Sequence, residues 1–170
     1  MGRALLFAVT GVTWFAFWFT YFVINGPSQS VASMQVWVNV IAFSATLLTL
    51  AVSLVTFGRM VGGPWVTRMA TFAGATAALL SVTNIVEDGF RVEAAFYVFV
   101  LGMGILHVAL AGLALAIVRS AAGRRRLLAG VPAATMAAIL LFPVAGGPLM
   151  LGAWLAASAA AAKRGVLAAD

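Results

Sequence analysis

The chain has no cysteine, one histidine, four acidic side chains and a single lysine among its 170 residues. Without cysteine there is no disulfide framework and no thiolate chemistry, and nothing to read about redox compartment. A sole histidine excludes a bis-histidine haem site within one chain. The acids do not recur at metal-ligand spacing, so no metal is expected. No phosphate-binding glycine loop, zincin motif or nucleophile elbow is present. Charge of either sign is scarce as well. Charged residues make up 8% of the chain and hydrophobic ones 64%, with a mean hydropathy of +1.12. Those values lie outside the range of soluble globular domains.

The few charges that exist are sorted. Nine of the ten bases fall at one set of segment junctions: Arg3, then Arg59 and Arg68, then Arg119 with Arg124, Arg125 and Arg126, then Lys163 and Arg164. The tenth, Arg91, stands among Glu87, Asp88 and Glu93. Between these points run apolar stretches of roughly 15 to 25 residues, about what a helix needs to cross a hydrocarbon core near 30 Å thick. The sequence therefore predicts one all-α polytopic membrane domain over residues 1–170. The net charge of +6 lies in short loops, where bases set topology and meet anionic lipid, so no nucleic acid is expected.

Spans are expected at about 4–24, 34–57, 65–86, 94–118, 127–142 and 149–162. The first is too long and aromatic for a cleaved signal peptide and is expected to be retained. The final apolar stretch, Leu127 to Ala162, is far longer than one crossing requires. Pro143, Gly146, Gly147 and Pro148 supply a break within it. Six spans also return Lys163 and Arg164 to the side of the other bases, which gives a bundle of about six transmembrane helices with both termini cytoplasmic. A bacterial cytoplasmic membrane is the expected location. Arg124, Arg125 and Arg126 are placed to meet anionic headgroups. Trp18, Tyr21, Trp37, Phe96 and Tyr97 are expected near the outer interface, and most of the first-span aromatics, Trp14 to Phe22, in contact with lipid, with Trp14 or Phe17 able to wall a cavity.

Two stripes carry polar chemistry. At steps of four and three, the second span presents Gln35, Asn39, Ala42, Thr46, Thr49, Ser53 and Thr56, and the third presents Thr67, Ala70, Gly74, Ala77, Ser81, Asn84 and Asp88. Small and hydroxyl residues of this kind let membrane helices approach closely. Their outer ends change to amides and an acid, however, and two amides with a carboxylate on facing stripes call for a polar network or a hydrated pocket. His107 lies about 20 Å below Glu93 by helical rise. It is read as a neutral imidazole bonded to a threonine, as a deeper gate or proton site, or, least of all, as a haem ligand.

The leading expectation is binding or transport of a small molecule or ion in an outward-facing polar pocket between helices 2, 3 and 4. Its candidate contacts are Gln35, Asn39, Asn84, Glu87, Asp88, Arg91 and His107. The first alternative is a structural or accessory subunit, docking on a partner subunit or a second copy through small-residue faces. The second is an intramembrane enzyme acting on a lipid or isoprenoid substrate, with Glu87 or Asp88 as acid or base. The balance of features leans away from an enzyme.

Overall fold

In a membrane the backbone has no water to bond, so each apolar segment closes its own hydrogen bonds as helix. The computed structural model describes residues 2–24 and 33–167. Among these, six α-helices follow in order: α1 (Gly2–Trp18), α2 (Ser33–Val61), α3 (Pro64–Asn84), α4 (Glu93–Ser120), α5 (Gly130–Leu140) and α6 (Phe142–Leu167). Two of them end in wider π turns, α1 through Phe19–Ile24 and α3 through Ile85–Gly89. A 3-10 turn, Gly123–Ala129, leads into α5. No strand occurs among the described residues.

Five stretches are long and apolar enough to cross a membrane: Gly2–Phe22, Trp37–Val61, Pro64–Gly89, Glu93–Ser120 and Phe142–Lys163. They are the helices of an integral membrane protein. The exception is α5, which has 11 residues.

Each helix packs against its predecessor and its successor, and α6 returns to α1, closing the six into a ring. Adjacent helices run antiparallel. Thr10 of α1 meets Ser53 of α2 through their hydroxyls at 2.7 Å. Ser44 of α2 and Ser81 of α3 each donate to the other's carbonyl, at 3.1 and 2.9 Å. Ser158 of α6 donates to the carbonyl of Ala4 in α1 at 2.8 Å, which sets Lys163 and Arg3 near the same end of that pair. The α2–α3 turn falls at Gly62 and Gly63, whose φ values of 84° and 93° suit glycine and few other residues.

The polar stripes do look inward, but they do not face each other. The hydroxyl stripe of α2 turns to α1, where Ser53 is fully buried. The stripe of α3, from Ala70 through Gly74, Ala77 and Ser81 to Asn84, is buried against a different face of α2 that includes Ser44 and Ala51. A Cβ on Gly74 would sit 2.8 Å from the Ala51 carbonyl oxygen, so this pair of helices approaches as closely as the missing side chain allows.

The break in the last apolar stretch comes earlier than its prolines suggest. It is a single residue, Leu141, after which α6 starts at Phe142 and contains Pro143, Gly146, Gly147 and Pro148 within its first two turns. Pro143 is tolerated there because a first-turn N–H needs no intrahelical acceptor. The glycines serve close packing instead of a turn. A Cβ on Gly146 would lie 2.6 Å from the Ala138 carbonyl oxygen of α5, and one on Gly147 would lie 2.6 Å from the Trp18 ring.

One half of the ring is filled. Phe7, Phe57, Trp154, Leu54, Leu113 and Ile117 are all completely buried there, with Phe7, Phe57 and Trp154 in mutual ring contact. The other half, toward the π turns, is not filled.

Candidate functional site

A cavity of about 560 Å³ opens in that second half, and all six helices line it. From α1 come Trp14 and Phe17, and from its π turn Tyr21 and Phe22. Helix α2 contributes Asn39, Val40 and Phe43, and α4 contributes Phe96, Phe99 and Met103. Asn84 at the end of α3 and Glu87 and Asp88 on its π turn form the polar end. Ile139 of α5 and Phe142 of α6 complete the wall.

Eight of the fifteen lining residues are aromatic, so the expectation of a polar pocket between helices 2, 3 and 4 is corrected to an aromatic chamber with one acidic end. Phe43 and Phe142 join its walls. Phe17 stacks on Phe43 at 5.2 Å between ring centroids, and Phe142 meets Trp14 edge-on at 5.7 Å and Phe22 at 5.2 Å. The indole N–H of Trp18 donates to the Phe142 carbonyl at 2.7 Å, fixing the start of α6 against α1. The first-span aromatics therefore turn inward more than lipid contact would require. Trp14 is 2% exposed.

Both π turns deliver residues to the mouth, Tyr21 and Phe22 from one and Glu87 and Asp88 from the other. A π turn widens the helix and redirects side chains away from the 3.6-residue register, and such turns recur at functional sites. Gly89 closes the second one against Trp37, which in turn meets Phe90 edge-on at 5.5 Å.

Four of the sequence-derived candidates, Asn39, Asn84, Glu87 and Asp88, line this one cavity. Their states differ. Asn84 is 3% exposed, and its amide donates to the Val40 carbonyl at 3.2 Å and to the Ser44 hydroxyl at 3.0 Å. Both N–H groups are thus directed at α2, which makes Asn84 a clamp between helices as much as a wall of the cavity. Asn39 is half-buried and already in contact with a partner. Glu87 is half-buried and Asp88 exposed. Among the described residues neither acid forms an ion pair, and neither does Arg91.

Arg91 stands outside the chamber, in a shallower depression shared with Glu87, Asp88, Glu93, Phe96 and Tyr97. Its backbone lies in the left-handed region at φ 57°. Gln35 lies on α2, but its side chain falls outside the described residues, as do residues 25–32 of the expected outer loop.

His107 does not line the cavity. It lies one helical turn beyond Met103, and its Nδ1–H donates to the Met103 carbonyl at 2.6 Å. The partner is thus a carbonyl of its own helix and not a threonine hydroxyl. Its Nε2 is buried and unpartnered. Among the described residues no three His, Cys, Asp or Glu side chains come together as a metal site.

Sequence reasoning missed Phe43, Phe99, Met103, Ile139 and Phe142 as site residues. A signal was available in depth. Phe17, Phe43, Phe96, Phe99 and Phe142 all fall toward the same end of their respective segments, on four different helices.

At the opposite end, Arg125 and Arg126 are exposed on the 3-10 turn, with Arg126 Nε donating to the Ala121 carbonyl at 2.9 Å. The side chain of Arg124 falls outside the described residues. Comparison with known protein families, with curated proteins and with solved structures finds no match to this chain.

Proposed function

We propose that this is a small-molecule binding protein of the bacterial cytoplasmic membrane. In this reading the chain crosses six times with both termini in the cytoplasm, and its chamber takes a ligand from the outer side. The observation that carries the reading is the chamber itself. A volume of about 560 Å³ falls within the roughly 300 to 1,000 Å³ of ligand sites, and apolar walls with a few convergent polar groups are the usual composition of such sites.

Among the described residues buried side chains fill the other half of the ring, so transport would require the helices to rearrange around a bound ligand. In the six-crossing arrangement the 3-10 turn and α5 together make the fifth crossing, and the exposed arginines meet anionic headgroups.

The test is native mass spectrometry of the protein purified in mild detergent, combined with thermal unfolding. A bound small molecule that raises the unfolding temperature, and whose effect is lost in Phe43→Ala, is the expected result. A protein with no bound species, and unresponsive to a panel of apolar and amphiphilic compounds, would sink the proposal.

A second reading, an accessory subunit, draws on Gly104, Gly130 and Gly152, where an added Cβ would meet nothing within 4 Å. Open small-residue faces favour close docking of another membrane helix. A stoichiometric partner chain co-purifying with the protein would select this reading.

A further inference from the structure

We propose that the ligand of the chamber is an amphiphilic organic cation, with an ammonium-like or phosphonium-like centre joined to an apolar body. The inference rests on the reading of the chamber as a small-molecule site and names the chemical class that site selects.

Three observations converge. First, Glu87 and Asp88 sit side by side at one end of the chamber, and among the described residues no base pairs with either acid and none lines the cavity. Arg91 in the neighbouring depression offsets one of the three acids Glu87, Asp88 and Glu93, so the entrance keeps a net negative field, which walls of low dielectric strengthen.

Second, most of the rest of the wall is aromatic, with Trp14 and Phe17 each meeting both Phe43 and Phe142 by stacked or edge-on contacts. Aromatic faces are electron-rich and attract cations, most of all those whose charge is spread over an organic shell and is cheaply desolvated. A simple metal cation would lose its hydration in such a chamber without enough oxygen ligands to replace it. An anion would meet like charge at the mouth and electron-rich faces inside.

Third, Trp14 lines the deep part of the cavity at 2% exposure, with its indole N–H closed off and its ring part of the apolar wall. A ring held at that depth in the wall takes the apolar body of an occupant. The charge therefore belongs at the Glu87 and Asp88 end and the apolar body against Trp14, Phe43 and Phe142.

The experiment is equilibrium dialysis of the full chain in zwitterionic lipid nanodiscs, with empty nanodiscs as the partition baseline. Tetraphenylphosphonium, tetraphenylborate and neutral triphenylphosphine oxide are compared as probes of similar bulk. The expected result is saturable binding of the phosphonium at one per chain, at least tenfold tighter than the neutral compound, with the borate weakest. The Glu87→Gln, Asp88→Asn double variant is expected to bring the cation-to-neutral ratio close to one.

Equal wild-type affinity for cation and neutral probe, or tighter binding of the borate, overturns the charge assignment and leaves the small-molecule reading standing. Saturable binding of none of the three to folded wild-type protein overturns both. The wild-type comparison requires no variant to fold.

Discussion

Asn84 illustrates how one side chain serves two roles at different strengths. Its amide spans from α3 to the Val40 carbonyl and the Ser44 hydroxyl on α2, and Ser44 in turn exchanges hydrogen bonds with Ser81. Hydrogen bonds between membrane helices are worth about 0.6 to 2 kcal/mol each, a modest value because the unfolded chain in the membrane also finds partners. Asn84→Leu is therefore expected to lower stability by about 1 to 2 kcal/mol in reversible unfolding from detergent. Asp88→Asn, at an exposed and unpaired position, is expected to change it by less than about 0.5 kcal/mol. The opposite ranking would show that the clamp is not formed. Arg91 gives a second test at this scale. A non-glycine residue in the left-handed region costs roughly 1 to 2 kcal/mol, so Arg91→Gly is expected to leave thermal stability unchanged or to raise it. A marked loss would mean that the guanidinium holds the outer junction in place. The sequence places Asn84 and Asp88 on one stripe by periodicity alone. It does not reveal that the amide is spent on α2, because a helical wheel assigns a face and not the neighbour that covers it.

At the scale of elements, the helices whose ends are marked by charge are close to legible. The second span, expected at about 34–57, runs one turn further through Arg59 to Val61 before Gly62 and Gly63 turn the chain, and Glu93 opens α4 one residue before the expected 94. The final stretch differs because glycine and proline carry two meanings. In water a Pro-Gly-Gly-Pro cluster reads as a turn, whereas in a membrane bundle glycine is equally a point of close approach and proline a tolerated helix residue. The two cases respond differently to added volume. Gly147→Ala would drive a methyl into the Trp18 ring and is expected to cost roughly 1 to 3 kcal/mol, the usual range for overpacking. Gly104→Ala, on an open face of α4, is expected to be neutral or stabilising by up to about 1 kcal/mol, as glycine is a poorer helix former than alanine. Unfolding curves of both variants check the assignment, and a tolerated Gly147→Ala would restore the turn reading. The π turns lay beyond any periodic reading, since a pattern counted at 3.6 residues cannot anticipate where a helix widens.

The whole molecule is organised by its charges and by ring closure. Charge sorting needs only residue counts at junctions, and so the membrane class and the special status of the Glu87 to Glu93 junction are legible in the sequence. Closure of α6 onto α1 is not, because it depends on which apolar faces meet, and the chamber depends on that closure. Topology is open to direct test, helped by the absence of native cysteine. With Cys introduced singly for Glu93, Arg125 or Lys163, an impermeant maleimide is expected to label the first in intact cells. The other two should react only after permeabilisation. Labelling of Lys163→Cys from outside would reduce the crossings to five.

The return of α6 to α1 also bears on how the protein is made. Helices enter the membrane in the order of synthesis, and α1 presents Phe7 and Trp14 long before Trp154 and Phe142 exist to cover them. Until α6 is released, α2 is the main neighbour of α1 among the described residues, through Ser53, Phe43 and Phe57. The first helix must therefore wait, half-paired, for α6. The chamber gains Phe142, and with it the ring contact to Trp14 and Phe22, only in that final step. Completion of the chamber would thus arise late, only once α6 lies beside α1 in the membrane.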